Sequence, residues 1–313
     1  MPELPELEVL KNSLFSQING KKIKEIKILK PYILKNYFTP LEKRGQPVGM
    51  KKKKSALAKP VGRILSNAHP DFLTGYTYDL SGEKIKGIRR RGKFLIIELV
   101  SYKIDIHLML RGSIKYTLPG THVKKSSAAF VRFDDGTLLE MNETGHKKRM
   151  SVYILPKNKH LDKIDKLGIE PLQGDFTLDK FKGLLKSDSM QLKSFLCDQK
   201  KIAGIGNAYA DEILWQAKIS PFKITTKLTD SEIKNLYEAI IQILNWAIDK
   251  VKNKGILEKR DFLNIHNKKK SSCPRCGEMI LSVSFSSQET FYCPNCQTKG
   301  RKLKDRRLSK FYR

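Results

Sequence analysis

The spacing of hydrophobic residues changes character along the chain. Residues 6–18 carry apolar side chains at helical intervals after a proline-marked start, which predicts an N-terminal helix. From about residue 20 to 155 the apolar runs are short and strand-like. Examples are 93–99, 105–108 and 130–133. An Asp-Asp-Gly turn at 134–136 predicts a hairpin with residues 137–139. The first half is therefore predicted to be a β-sandwich or barrel that carries one helix.

The second half returns to helical spacing between about residues 160 and 255. The predicted helices are 177–186, 189–200, 207–217 and 229–253. A Gly-Ile-Gly-Asn sequence at 204–207 breaks the pattern between the second and third of them. Residues 256–272 are polar and predict a linker into the last segment. The predicted fold class is α+β with two domains, a β-sandwich followed by a helical domain.

Four of the five cysteines form two C-x2-C pairs separated by sixteen residues. They are Cys273, Cys276, Cys293 and Cys296. Each pair can reach one tetrahedral ion from a tight turn, and alternating residues at 280–285 and 290–292 predict a β-hairpin between them. Disulfides are the alternative, which an intracellular chain disfavours. Four protein ligands leave no open position, so we expect one structural zinc ion. Cys197 lies in an apolar helical stretch and is expected to be a core residue.

The net charge of the chain predicts what kind of partner it binds. Sixty-one Lys and Arg residues against 32 Asp and Glu give a formal net charge of +29. Such a surface favours nucleic acid, because each neutralised phosphate releases counterions. Alternatively, the high charge reflects only a lysine-rich proteome. An anionic membrane is disfavoured as the partner because no basic amphipathic helix stands out. No apolar run approaches the roughly 20 residues of a membrane span, and the acidic, proline-rich start is unlike a signal peptide. We therefore predict a cytoplasmic, DNA-associated protein without membrane contact.

Two basic segments have an open interpretation. Residues 45–63 contain glycines, prolines and a run of four lysines, which predicts an exposed loop. This loop either contacts a phosphate backbone or is simply solvated. The tail from Lys299 to Arg313 has eight basic residues and one acidic residue, and is predicted to be a DNA-facing or disordered arm.

The start of the chain, Met1-Pro2-Glu3, suggests covalent chemistry. Removal of Met1 would leave Pro2 with a free secondary amine, and an α-amino group has a pKa of about 7.7–8.0. Such an amine can attack C1′ of a sugar and form an iminium, with the Glu3 carboxylate moving protons beside it. The alternative is a proline that merely begins a helix.

Four segments in order carry a family resemblance. The sequence from Met1 to Val9 resembles the N-terminus of the formamidopyrimidine-DNA glycosylase / endonuclease VIII family. Residues 90–95 look like the strand that carries its catalytic-site lysine, and residues 203–212 are similar to its helix–two-turns–helix element. The four-cysteine hairpin, with Thr290-Phe291-Tyr292-Cys293 and Gln297, resembles its C-terminal zinc finger.

The resemblance implies roles for individual residues. Pro2 would be the nucleophile on C1′, Glu3 the general acid/base and Glu6 a supporting carboxylate. Lys93 would clamp a phosphate near the lesion, and His107 and Asn207 would contact phosphates. Two glycines before a helix start also suit phosphate binding at Asn207 on physical grounds. The implied domains are a catalytic β-sandwich at 1–157, a helix–two-turns–helix domain at 158–265, a zinc hairpin at 266–300 and a basic tail at 301–313.

The chain departs from the family where DNA is distorted. In the segment 107–112 the residue that would fill the gap left by an everted base is Leu110. The family's D-x-R-R-F-G loop is absent, and residues 142–150 stand in its place without an aromatic residue. Arg149 or His146 would be the substitute. Gln288 stands where the family has a phosphate-binding arginine.

The implied function is a bifunctional DNA glycosylase/AP lyase of base excision repair. It would act as a monomer on damaged double-stranded DNA, remove the base through a Pro2 Schiff base, and cut the strand by β,δ-elimination. One alternative keeps the fold but acts on bulky, alkylated or crosslinked bases. Another is a non-catalytic zinc-finger nucleic-acid-binding protein, and the least favoured is a basic ribosome-associated protein.

Overall fold

The computed structural model describes residues 1–35, 76–78, 80–254, 260–285 and 288–303. The basic loop predicted at 45–63 and the tail beyond residue 303 lie outside the described residues. The chain divides into two compact units. The first comprises Met1–Pro2, Lys11–Arg90 and Phe94–His160, and the second comprises Glu3–Leu10, Arg91–Lys93 and Leu161–Arg313. The predicted domain boundaries stay predictions.

The N-terminal half contains one α-helix, one short 3-10 helix at Pro31–Ile33 and nine strands among its described residues. The α-helix and the strands are α1 Leu4–Ile18, β1 Ile23–Ile28, β2 Tyr76–Tyr78, β3 Ile85–Arg91, β4 Phe94–Leu99, β5 Tyr102–His107, β6 Gly112–Thr117, β7 Ser127–Phe133, β8 Leu138–Glu143 and β9 Ser151–Pro156. One sheet has the order β2-β1-β7-β8-β6 and the other β3-β4-β5-β9. The predicted β-sandwich is confirmed.

The predicted hairpin between β7 and β8 is present and antiparallel. Phe133 and Thr137 close it, with the Phe133 amide donating to the Thr137 carbonyl at 3.0 Å. Gly136 has a φ of +81°, a left-handed conformation that glycine adopts without steric cost. The predicted loop 142–150 is shorter than expected, because Asn142 and Glu143 end β8 and pair with β6.

The second half is helical before its C-terminal hairpin. Its elements are α2 Asp162–Asp165, α3 Leu178–Ser187, α4 Leu192–Cys197, α5 Asn207–Gln216, α6 Asp230–Lys254, β10 Leu281–Phe285, β11 Gln288–Tyr292 and α7 Pro294–Thr298. Among the described residues, no helix combines the length and hydropathy that a membrane span requires.

The helix predicted at 189–200 is wrong in length. Only α4 forms there, because the amides of Leu192 and Lys193 donate to the carbonyls of Lys223 and Pro221 instead of extending a helix backwards. At the other end, the Asp198 amide donates to the Phe195 carbonyl at 3.2 Å and Asp198 adopts an extended backbone conformation, which ends the helix. Cys197 is partly buried, and burial raises the pKa of its thiol to about 12, consistent with an inert packing residue.

Candidate active site and metal centre

The side chain of Glu3 is buried at the start of α5. Its Oε2 accepts from the Gly206 amide at 2.7 Å and its Oε1 from the Ala208 amide at 3.2 Å. Both amides belong to the helix N-terminus, where the helix dipole favours an anion. The two-glycine helix start was expected to bind phosphate, but the anion that these two amides hold is the Glu3 carboxylate.

Gly206 makes room for a close approach of two charged groups. A Cβ at this position would lie 2.5 Å from both Glu3 Cδ and Lys93 Nζ. Lys93 is buried, with 6% of its surface exposed, in the turn between β3 and β4. The turn is fixed by Glu170, which accepts from the amide of Gly92 at 2.5 Å and from Arg91 Nη1 at 3.1 Å. Lys93 and Glu3 are thus brought together, as the resemblance implied.

The electrostatics of this site keep Glu3 ionised. Burial alone would raise the pKa of Glu3. The charges of Lys93 and Arg260 and the two amide donors outweigh burial, so the pKa of Glu3 lies below its ordinary value. The carboxylate is therefore a proton acceptor at neutral pH.

Glu6 is held by four hydrogen bonds. Its Oε2 accepts from the Glu3 amide at 2.8 Å and from Arg260 Nη2 at 2.8 Å. Its Oε1 accepts from Tyr209 Oη at 2.6 Å and from Arg260 Nε at 2.7 Å. Burial and the Glu6 carboxylate raise the pKa of Tyr209 well above its ordinary value, so the phenol stays a neutral donor. Glu6 therefore connects Glu3 to Tyr209 and Arg260.

Arg260 is the site residue that the sequence analysis missed. It lies in the segment predicted as a polar linker, and its guanidinium lies 5.1 Å from the centre of the Tyr209 ring. Burial would lower the pKa of Arg260, but the carboxylates of Glu3 and Glu6 raise it, so the charge is permanent. A single arginine in a polar stretch carries no periodicity or spacing signal that could have singled it out.

Pro2 precedes this buried cluster directly in the chain. It is half-buried, and Met1 before it is exposed at 39%. The peptide bond between Pro2 and Glu3 places the proline ring one residue from the ionised carboxylate. The geometry of the proline nitrogen itself depends on removal of Met1.

Leu110 lies at the tip of a tight exposed turn after β5. Its side chain is 52% exposed, although leucine is a large apolar residue. Met109 has a φ of +53°, and the Gly112 amide donates to the Leu108 carbonyl at 2.9 Å. His107 Nδ1 accepts from the Met109 amide at 3.1 Å, which places the proton of the neutral ring on Nε2. The turn therefore exposes Leu110 to solvent, and its role in filling a gap in DNA stays a prediction.

A second exposed turn, 144–150, is fixed by the buried Glu143 carboxylate. Glu143 Oε1 accepts from the amides of Arg149 and Met150 at 2.6 and 2.8 Å. Residues 144–149 are all exposed, so the side chains of His146 and Arg149 face solvent. The Thr144 amide donates to the carbonyl of Arg111 in the first turn at 3.2 Å. The two turns therefore form one connected surface.

Asn207 contacts the C-terminal hairpin. Its Nδ2 donates to the Glu289 carbonyl at 3.0 Å, and Lys193 Nζ donates to the same carbonyl at 3.2 Å. Lys193 in turn pairs with the buried carboxylate of Asp211 at 2.6 Å. One amide hydrogen of Asn207 is thus used within the protein, and the side chain is half-buried at the start of α5, where its Oδ1 is buried without a hydrogen-bond partner among the described residues.

The four predicted cysteines lie together in the C-terminal hairpin. Their sulfur atoms are all within 4.8 Å of one another, and three of the Sγ–Sγ distances are 3.4, 3.5 and 3.9 Å. A tetrahedral zinc site with bonds of about 2.3 Å places sulfurs about 3.8 Å apart, so the donor set fits zinc. Trp215 Nε1 donates to Cys273 Sγ at 3.3 Å and ties the hairpin to α5. The residues fit a structural zinc site.

Comparison with known proteins identifies the family. The formamidopyrimidine-DNA glycosylase N-terminal domain matches residues 58–149, its H2TH domain residues 167–259, and the zinc finger found in FPG and IleRS residues 271–299. The formamidopyrimidine-DNA glycosylase of Enterococcus faecalis is 32% identical over 97% of this chain and 100% of its own length. That of Listeria monocytogenes is 30% identical over 95% and 100%.

Solved structures agree with the sequence comparison. The formamidopyrimidine-DNA glycosylase of Lactococcus lactis, bound non-covalently to DNA containing an AP site, has a TM-score of 0.73, 29% identity and coverage of 95% of this chain and 99% of its own. A mutant of the Lactococcus lactis protein, in complex with DNA containing Fapy-dG, gives a TM-score of 0.74, 28% identity and coverage of 95% and 100%. The chain therefore belongs to the formamidopyrimidine-DNA glycosylase family.

Proposed function

We propose that this chain, a DNA glycosylase of base excision repair, is bifunctional and also cleaves the strand as an AP lyase. The nucleophile is the secondary amine of Pro2 after removal of Met1. The observation that carries the proposal is the Glu3 carboxylate, which is buried and ionised and belongs to the residue that directly follows Pro2. A non-catalytic DNA-binding protein has no use for such an arrangement.

The proposed reaction begins with displacement of the damaged base at C1′. The Pro2 nitrogen attacks C1′ of the damaged nucleotide, and the base leaves with the electron pair of the glycosidic bond. Loss of the amine proton and opening of the C1′–O4′ bond give an iminium between the proline nitrogen and C1′. Glu3, whose pKa lies below its ordinary value, begins as the proton acceptor and returns the proton to O4′.

Strand cleavage follows from the iminium. Removal of a C2′ proton expels the 3′ phosphate by β-elimination, and a second elimination expels the 5′ phosphate. The iminium acts as the electron sink in both steps, so no metal ion takes part in them. Water finally hydrolyses the iminium and frees Pro2. The zinc ion, one per chain, has a structural role in the hairpin.

The proposed DNA contacts combine a buried lysine, two half-buried side chains and the two exposed turns. Lys93, His107 and Asn207 bind phosphates on damaged double-stranded DNA, which the protein engages as a monomer. Leu110 enters the gap left by the everted nucleotide, since it is the exposed apolar tip of its turn. Arg149, or alternatively His146, takes the place of the second gap-filling loop. The domain boundaries 1–157, 158–265, 266–300 and 301–313 belong to the same proposal.

The lesion is a separate question. Formamidopyrimidines and abasic sites are the first candidates. The relatives are named formamidopyrimidine-DNA glycosylases, and their solved structures contain DNA with an AP site or with Fapy-dG. Bulky, alkylated or crosslinked bases are a second candidate, favoured by the observation that turn 144–150 contains no aromatic side chain. A turn without a large aromatic wedge leaves more room beside an everted bulky base.

The function is tested by product analysis on single-lesion duplexes. The purified chain, with Met1 removal checked by intact mass, is incubated with duplexes that contain one abasic site, Fapy-dG, 8-oxoguanine or a bulky alkylated base. We expect a one-nucleotide gap with phosphates on both ends on abasic DNA and on at least one base lesion. Tight DNA binding without cleavage of any duplex would instead support a non-catalytic binding protein.

A further inference from the structure

Arg260 lies in the segment that leads into the zinc hairpin, yet its guanidinium is hydrogen-bonded to residues at the start of the chain. We propose that Arg260 is a positioning residue that orients the Glu3–Glu6 pair, and through it the Pro2–Glu3 peptide plane, for attack on C1′. This inference deepens the proposed function and rests on it for the identity of the nucleophile.

The geometry of the ion pair supports orientation rather than simple charge balance. Arg260 Nε and Nη2 donate to the two different oxygens of Glu6, at 2.7 and 2.8 Å. Such a bidentate pair fixes the plane of the carboxylate as well as its position. Arg260 Nη1 also lies 3.4 Å from Glu3 Oε1. One planar cation therefore spans both carboxylates.

Glu6 transmits that orientation to the nucleophile through a peptide bond. Its Oε2, which accepts from Arg260, also accepts from the amide nitrogen of Glu3 at 2.8 Å. This nitrogen belongs to the planar peptide group that includes the Cα of Pro2. The plane in which Pro2 Cα lies is thus set by Glu6, and Glu6 is set by Arg260.

The charges around the pair require a cation at this position. Two buried carboxylates that share hydrogen bonds would otherwise favour retaining a proton on one of them. The titratable groups that face the pair are Lys93, Cys197, Tyr209 and Arg260. Burial raises the pKa of Cys197 to about 12 and contributes to raising that of Tyr209, so both are neutral at working pH. The negative charge of the pair is therefore balanced by Lys93 and Arg260 alone among these groups.

Arg260 is itself held by the same helix that holds Glu3. The buried Glu212 carboxylate of α5 accepts from the backbone amides of Asn264, Ile265 and His266 at 3.0, 2.8 and 2.9 Å. The Leu263 amide donates to the Arg260 carbonyl at 3.2 Å and continues the turn back to the arginine. The segment after Arg260 is therefore anchored on α5, at whose start Glu3 lies.

The test compares Arg260→Gln with Arg260→Lys, and Arg89→Gln serves as the matched control. Arg89 forms an exposed ion pair with Glu98. Single-turnover base release is measured against pH on the lesion duplex that the wild type cuts best. For Arg260→Gln we expect about a hundredfold slower release at neutral pH. The acid limb of the pH–rate profile of this variant should move to higher pH, because Glu3 loses a cation that lowers its pKa.

The lysine variant separates charge from orientation. Arg260→Lys keeps the cation but not the bidentate geometry, so its acid limb should return close to the wild-type position while its rate stays about tenfold low. Arg89→Gln should match the wild type in both. A full rate for Arg260→Gln, or a loss without movement of the acid limb, would overturn the proposal.

Hydrogen exchange gives a readout that does not depend on catalysis. Exchange in the N-terminal peptide should be faster in Arg260→Gln than in the wild type, because the Glu3 amide loses its oriented acceptor. Unchanged exchange there would contradict the positioning role even if the wild type proved inactive.

Borohydride trapping on abasic DNA separates a failure of this proposal from a failure of the proposed function. An adduct in the wild type upholds the proposed nucleophile whatever Arg260→Gln does, and no adduct in either protein would refute the proposed function rather than the contacts of Arg260.

Discussion

The buried carboxylate cluster and the exposed turns differ in how they hold their side chains. The cluster of Glu3, Glu6, Lys93, Tyr209 and Arg260 draws on four separate parts of the chain, and each carboxylate oxygen has a donor. The turns 107–112 and 144–150 are local structures whose cited hydrogen bonds lie within a turn, between the two turns or to the adjoining Glu143 at the end of β8. The first arrangement fixes charged groups in place, and the second projects side chains into solvent.

The difference explains where the chain departs from its family pattern. A change in the cluster leaves a buried charge without a partner, which costs several kcal/mol. A change at an exposed turn tip costs little stability, provided that the turn backbone keeps its anchors. In the cluster, Glu3, Glu6 and Lys93 follow the family resemblance, whereas the turn 144–150 departs from it and keeps its backbone through the anchor of Glu143. The chemistry should therefore follow the family, and recognition of the lesion should differ.

The largest effect is expected from a methyl group inside the cluster. Gly206→Ala would place a Cβ 2.5 Å from Glu3 Cδ and Lys93 Nζ, so one or both must move. Because a displacement of about 1 Å costs about a hundredfold in rate, base excision should fall by about that factor or more. Gly183→Ala is the matched control, since nothing lies within 4 Å of its Cβ and alanine favours the helix. Equal activity of both variants would show that the cluster tolerates displacement.

A smaller effect is expected from loss of the metal. Cys293→Ser removes a buried ligand, so bound zinc measured by mass spectrometry should fall from about one per chain towards zero. DNA affinity should fall about tenfold, because the hairpin that contacts Asn207 and Lys193 loses its anchor. Cys197→Ala lies outside the four-cysteine site and should keep its zinc. Full zinc content in Cys293→Ser would argue against the proposed ligand set.

The smallest effect is expected at the exposed turn. Leu110→Ala shortens the proposed wedge, and excision of a base from duplex DNA should slow about tenfold while cleavage of a preformed abasic site changes little. Thermal stability should be unchanged, since the side chain is already 52% exposed. Leu118→Ala, at a leucine that is 69% exposed, is the control. If Leu118→Ala slowed excision as much as Leu110→Ala, the wedge assignment would be wrong.

The sequence predicted those features that local pattern controls. Short strand-like runs predicted the sandwich, and the Asp-Asp-Gly turn predicted the 134–136 hairpin. The cysteine spacing predicted the four-sulfur site. The helix at 189–200 was overestimated, because pairing of the Leu192 and Lys193 amides with distant carbonyls carries no periodicity.

The active site was predictable only where a motif carried it. Glu3, Glu6 and Lys93 were found through resemblance, and the structure places them together. Arg260 was missed because its contacts join residues separated by more than 250 positions, which no local pattern encodes. The position of the Glu3 carboxylate at the start of α5 was missed for a related reason, while phosphate binding by Asn207 stays a prediction. The glycine-rich helix start predicts that an anion binds, but not that the chain supplies it from Glu3.

The central claim is that Pro2 forms a covalent iminium beside an ionised Glu3. Borohydride reduction on abasic DNA, followed by peptide mapping of the adduct, tests it most directly. The wild type, with Met1 removed, should give a stable adduct that maps to Pro2, and a chain with one serine added before Pro2 should not form that adduct, because its nitrogen is then an amide. An adduct that maps to a lysine, or no adduct from a chain that still binds the DNA, would contradict the account.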